Sequence, residues 1–278
     1  MTRRSLLLAA QAALPDLREV QADLVVPPLV DQPVKGVPGA GRRVKVCDQD
    51  SPDIYHVLYL PADWKPGRSY PVIVEYSGNG NYRNSYGDVS LGVPEGSNLG
   101  FGLSGGLGYL WLCLPYVDPV ERRNATLWWG NAQATNEYGR RVLQETCRLY
   151  GGDTGRVLLA GFSRGAIACS YLGLRDDPTA AQWRAFFAYS HFDGVRRWPY
   201  ADSDRMSALE RLRRLRGRPV FVCHEGSVED TREFLSAGKV EGRFTYESIR
   251  MRNHNDAWVL RDLPERRRAR AWLREVMS

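Results

Sequence analysis

The stretch Arg156-Val157-Leu158-Leu159-Ala160-Gly161-Phe162-Ser163-Arg164-Gly165-Ala166-Ile167-Ala168-Cys169 constrains the fold of this chain more than any other. Residues 157 to 160 form a short apolar run without helical period, the pattern of a strand covered on both faces. The next five residues, Gly161 to Gly165, fit G-x-S-x-G. Flanking glycines let the backbone turn sharply and let the following helix pack closely, which puts Ser163 at the tip of the turn. Five residues of this kind also fit an ordinary strand-to-helix turn. The strand before and the helix after them favour a nucleophile.

The rest of the chain alternates strands and helices. Residues 42 to 47 and 55 to 60 are expected as an antiparallel pair at a sheet edge, separated by Asp48-Gln49-Asp50-Ser51-Pro52-Asp53. Further strands are expected at 70–76, 109–116, 185–190, 219–223 and 243–249. Helices are expected from Thr135, as N-cap, to about 150, over 207–216, from the loop after residue 231 to 237, and over 264–276. This order indicates an α/β class with a mostly parallel central sheet and helices on both faces. Residues 87 to 108 hold eight glycines and few charges, and a long irregular stretch of that kind inside a domain is usually a functional loop. No P-loop lysine and no G-x-G-x-x-G after a strand accompanies them, so nucleotide binding is set aside.

A chain of 278 residues suits one large domain. Residues 1–41 form a lead-in, proline- and glycine-rich from Val25 to Gly41, and residues 42–278 the expected catalytic domain. Within the lead-in, Thr2-Arg3-Arg4-Ser5-Leu6-Leu7-Leu8 resembles a twin-arginine export signal, with Ala10-Gln11-Ala12 as a small-residue cleavage site. The competing reading is a short amphipathic helix ending near Leu14. The first implies a periplasmic or secreted protein, the second a cytoplasmic one. No stretch is long and apolar enough to span a membrane. The net charge of +6 invites an anionic partner, yet the basic residues at 211–216 and 266–270 alternate with apolar ones as solvated helix faces do. No nucleic-acid motif accompanies them. The five cysteines show neither CxxC nor Cys/His metal spacing, so a metal site is not expected.

With Ser163 on its turn, the chain resembles the α/β-hydrolase superfamily, whose nucleophile elbow has the pattern Gly161-Phe162-Ser163-Arg164-Gly165. The resemblance implies an α/β-hydrolase fold and a triad in the order Ser, Asp or Glu, His, each in a loop after a strand. Of the four histidines, His254 alone falls between the last strand and the last helix, where the resemblance puts the base. The acid is expected after the strand ending at Cys223, at Asp230 or, counting from Gly226, at Glu229; Asp193, after the preceding strand, ranks third. The oxyanion donors implied are the backbone N–H of Arg164 and that of Asn79, or of Gly80 one residue on. His191 is expected to line the pocket, His56 to be structural and His224 to support its loop. Trp128 and Trp129 either line a substrate cleft or serve packing.

Within the superfamily the chain is similar to secreted bacterial esterases of the feruloyl-esterase and polyhydroxybutyrate-depolymerase type. That similarity implies a serine carboxylester hydrolase acting on a small-molecule or carbohydrate-linked ester, without metal or organic cofactor. The alternatives are a serine peptidase of the same fold and a catalytically silent binding protein. Oligomeric state is not legible.

Overall fold

A computed structural model describes residues 14–31 and 37–278; the export-signal segment 1–13 lies outside them. A nine-stranded sheet runs through the molecule: β1 (Leu29–Asp31), β2 (Arg43–Cys47), β3 (Tyr55–Tyr59), β4 (Tyr70–Tyr76), β5 (Leu110–Leu114), β6 (Gly152–Phe162), β7 (Ala185–Tyr189), β8 (Pro219–Glu225) and β9 (Arg243–Ile249). Its spatial order is β1-β2-β3-β5-β4-β6-β7-β8-β9. β5 and every strand beyond it pair in parallel, while β3 runs antiparallel to both β2 and β5.

The central strands read as continuous apolar runs because successive side chains enter two different cores. Val157 and Leu159 pack on one face with Val72, Val74, Leu112 and Leu114. Leu158 and Ala160 pack on the other with Ile73, Trp111 and Cys113. Helices α2 (Ala132–Tyr150), α3 (Arg164–Tyr171), α5 (Arg205–Leu212) and α6 (Glu229–Ala237) contribute to the first core. The short α4 (Asp177–Ala180) lends it Ala180. Helices α1 (Leu99–Ser104) and α7 (Pro264–Met277) build the second.

Several expectations shift. Helix α2 begins four residues early, because Asn131 rather than Thr135 is the cap, accepting from Ala134 N. Thr135 instead turns inward, donating to Trp129 O and accepting from Val117 N. The glycine-rich stretch is only partly irregular. It carries Val89–Ser90, which pairs with the preceding Tyr82–Arg83 in a two-stranded hairpin, and α1, whose first amides donate to the fully buried Glu75. The boundary expected at residue 42 is not a structural one. β1 pairs with β2, Asp23 makes two 2.7 Å bonds to Arg266, and Leu17 is buried, so the lead-in from residue 14 to 31 belongs to the same body. Proline-rich sequence hid β1, since three residues on a sheet edge need no apolar alternation.

The carboxyl ends of β4, β6, β7, β8 and β9 all open onto one edge of the sheet, where open α/β sheets collect their functional groups. Among the described residues no helix is long and apolar enough to cross a membrane.

Candidate active site

The elbow is dictated by contact distances. Ser163 has φ +55° and ψ −113°, a conformation an L-residue adopts only under constraint. A Cβ on Gly161 would lie 2.1 Å from the Gly165 backbone, and one on Gly165 would lie 1.9 Å from the Tyr76 carbonyl oxygen. Only glycine fits at either place. Ser163 N donates to Tyr189 O at 2.9 Å, and its own carbonyl accepts the first helical bonds of α3.

His254 Nε2 lies 3.0 Å from Ser163 Oγ, and His254 Nδ1 lies 2.7 Å from Glu225 Oε1. An ionised carboxylate only accepts, so the proton sits on Nδ1 and Nε2 presents its lone pair to the serine hydroxyl. Ser190 joins them: its Oγ is 3.0 Å from Glu225 Oε1 and 2.9 Å from His254 Nδ1, on a backbone with φ +86°. Burial opposes the charge on Glu225, but His224, His254 and His191 around it prevail and hold its carboxyl below the usual range. His191 lies with its ring 5.2 Å from that of His254, and burial first, then His254, pushes its pKa down to about 3, so it is neutral at physiological pH.

The carboxylates expected from the sequence stand elsewhere. Glu229 and Asp230 are exposed in the first turn of α6, where Glu229 faces Arg232 at 3.5 Å. Asp193 is wholly buried but committed to Arg211 (2.9 Å), Ser170 and Tyr200. The displacement has a simple cause. β8 continues two residues past Cys223, its Glu225 paired in register with Ile249, so the carboxylate that meets His254 ends the strand instead of sitting in the loop after it.

On the other side of Ser163, the segment after β4 packs directly on the elbow: a Cβ on Gly78 would touch the Phe162 ring at 3.1 Å. Gly80 N donates to Thr126 O at 2.7 Å, which leaves Asn79 N as the amide available for an oxyanion. Asn79 Oδ1 accepts from Trp128 N at 2.8 Å. The Arg164 side chain is 1% exposed. Its Nη1 donates to Trp128 O (2.6 Å) and its Nη2 to Gly78 O (2.9 Å) and Gly92 O (3.2 Å), with its Cζ 3.7 Å from the centroid of the Tyr116 ring. Burial brings its pKa down to about 10, which leaves it cationic at neutral pH.

The two tryptophans divide the roles proposed for them. Trp129 is buried and stacked on Tyr171 at 4.7 Å, a packing residue. Trp128 is partly exposed, with φ +46°, and continues an aromatic wall from His191 through Trp198 (5.1 Å) to its own ring (5.7 Å further). His56 is buried and bonded to Tyr138 Oη at 2.9 Å. His224 Nδ1 lies 2.6 Å from Glu225 O, at the end of β8.

Sequence reasoning also missed the group that secures the histidine. Asp88, 2% exposed, accepts from His254 N (2.9 Å), Asn253 Nδ2 (2.9 Å), Asn84 Nδ2 (2.7 Å) and, longer, Asn255 Nδ2 (3.4 Å). The same hairpin lays Tyr82 edge-on against His254, ring centroids 4.9 Å apart. From behind, Leu17 N donates to Asn253 Oδ1 and Arg252 pairs with Asp16, both at 2.6 Å. No local motif announces such anchors, which join segments more than 160 residues apart in sequence.

No protein-family model matches the chain, and no curated protein matches it. Solved structures do. A ferulic acid esterase superposes with a TM-score of 0.52 at 12% identity, over 84% of this chain and 96% of that one. Thermogutta terrifontis esterase 2, phosphoramylated by tabun, gives 0.52 at 14% identity over 80% and 87%. Porphyromonas gingivalis dipeptidyl peptidase 4 gives 0.52 at 15% identity over 84% of this chain and 35% of that one. Against that peptidase, an isopeptidase and a thermostable esterase, this chain spans between 35% and 62% of the other's length. At these identities the likeness establishes architecture, and the chain has the α/β-hydrolase fold.

Proposed function

We propose that this chain is a serine carboxylester hydrolase working through an acyl-enzyme. The observation that carries the reading is the unbroken series Ser163 Oγ, His254, Glu225, with bonds of 3.0 and 2.7 Å, at the carboxyl edge of the sheet. In this reading His254 Nε2 takes the proton as Ser163 Oγ attacks the ester carbonyl, and returns it to the leaving alkoxide. Glu225 keeps the imidazole in the productive tautomer and stabilises the imidazolium without taking its proton. The N–H groups of Asn79 and Arg164 hold the oxyanion, the latter at the start of α3, where the helix dipole adds to it. Water then enters, activated by the same histidine, and releases the acid.

The partly exposed Trp128 and the wall that joins it to His191 favour a planar or ring-bearing ester, aromatic on the acyl side or carbohydrate-linked. The test is hydrolysis of a panel of aryl, acetyl-sugar and feruloyl esters, beside peptide anilides, by wild type and Ser163→Ala. Ester turnover that the substitution abolishes is the expected result. Turnover of anilides alone would make the protein a peptidase, and turnover of neither a binding protein on a hydrolase fold.

A further inference from the structure

We infer that the Arg164 side chain is a positioning residue for the oxyanion hole, fixing and polarising the Gly78–Asn79 peptide group from its carbonyl end; the inference rests on the serine-hydrolase reading. A trans peptide is planar, with its C=O and N–H pointing in opposite directions. A bond from Arg164 Nη2 to Gly78 O at 2.9 Å therefore sets the direction of the Asn79 N–H in the same peptide. The next constraint closes a ring. Asn79 Oδ1 holds Trp128 N, and Trp128 O returns to Arg164 Nη1, so that Trp128 stays in its left-handed conformation and the Asn79 side chain is tied off. Beneath the guanidinium, Tyr116 offers its ring face at 3.7 Å and its hydroxyl to Ser77 O at 3.0 Å, which restrains the preceding peptide as well.

Structural filling alone does not account for this arrangement. A buried cation is costly and is ordinarily matched by a carboxylate. Among the described residues Arg164 has no such match: the acceptors of its two terminal nitrogens are all carbonyl oxygens, and its Nε, fully buried, has no acceptor. The positive charge beside the elbow is thus left unneutralised. Charge-assisted bonds are stronger than neutral ones, and a peptide polarised at its oxygen donates better from its nitrogen. One residue then serves the oxyanion twice, directly through its own N–H and indirectly through its neighbour's.

The experiment is steady-state hydrolysis of the best aryl ester by Arg164→Met and Arg164→Lys, together with the affinity of each for a boronic acid that mimics the tetrahedral intermediate. Both variants keep the Arg164 backbone N–H. Arg164→Met is expected to lower kcat by about 100-fold with KM within roughly threefold, and to weaken the boronic acid by the same factor as kcat. Arg164→Lys, which keeps the charge but not the fork, should recover part of both losses. A kcat within about threefold of wild type in Arg164→Met, or a fall in kcat with boronic acid affinity unchanged, would overturn the inference. If Arg164→Met does not fold, Tyr116→Phe decides, since it removes only the hydroxyl on Ser77 O. It should lower kcat and boronic acid affinity together by roughly three- to tenfold, and no change in either would count against the inference. A wild type that neither turns over esters nor is labelled at Ser163 by a phosphonate would instead overturn the hydrolase reading beneath it.

Discussion

Ser163 and Glu225 leave the sheet at the carboxyl ends of β6 and β8, on either side of β7, and they are held in opposite ways. The serine is fixed by its backbone. Glycines on both sides sit where no Cβ fits, and φ is +55°. The glutamate is fixed by its side-chain partners, Ser190 and His254, while its second carboxylate oxygen, buried, lies 3.6 Å from His224 Nδ1 and accepts no hydrogen bond among the described residues. The turn after it is open: Gly226 has φ +78°, yet a Cβ there would meet nothing within 4 Å. One half of the site is therefore a steric device and the other an electrostatic one, and the two should fail differently.

The largest effect is expected at the elbow. Gly165→Ala drives a methyl into the Tyr76 carbonyl at 1.9 Å and should cost roughly 4 kcal/mol or more in chemical denaturation. Its counterpart Gly226→Ala meets only the left-handed backbone penalty, about 1 kcal/mol. Equal losses at the two glycines would erase the distinction.

On the electrostatic side, Glu225→Gln should leave the fold intact and lower kcat by on the order of 1000-fold, while Asp230→Asn and Glu229→Gln stay within about twofold of wild type. The sign of the pH effect follows from a carboxyl held below its usual range. Stability from ionised Glu225 is present above the ordinary carboxylate pKa and lost as pH falls through the lowered value. Denaturation profiles should therefore show wild type gaining on Glu225→Gln as pH rises through the ordinary carboxylate range, and a constant gap would contradict it.

A smaller effect is expected one layer out. Asp88→Asn replaces an acceptor facing His254 N and Asn253 Nδ2 with an amide that can satisfy only one side, and removes a charge near the imidazole. Kinetics should show kcat lower by roughly 10- to 100-fold, because the imidazole is no longer held in line with Ser163. A kcat within about twofold of wild type would mean that these bonds do not set the position of the imidazole.

The same contrast explains what could be read from the sequence. A steric device leaves a short local pattern, so Gly161, Ser163 and Gly165 were legible, and with them the strand before and the helix after. His254 followed from topology, because one histidine stands between β9 and α7. Glu225 left no such mark. It is one of several acids near Gly226, and choosing among them requires knowing that β8 runs on to residue 225 and that α6 already begins at Glu229. Asp88, Ser190 and the buried Arg164 side chain were hidden for the same reason: their roles are contacts between distant segments, which no local periodicity encodes.

The most direct measurement is phosphonate labelling followed by peptide mapping by mass spectrometry, on wild type and Glu225→Gln side by side. A single adduct on Ser163, formed much more slowly in Glu225→Gln but at the wild-type rate in Asp230→Asn, is the result expected. No adduct on Ser163, or an adduct whose rate ignores Glu225 and follows Asp230, would contradict the assignment of the triad.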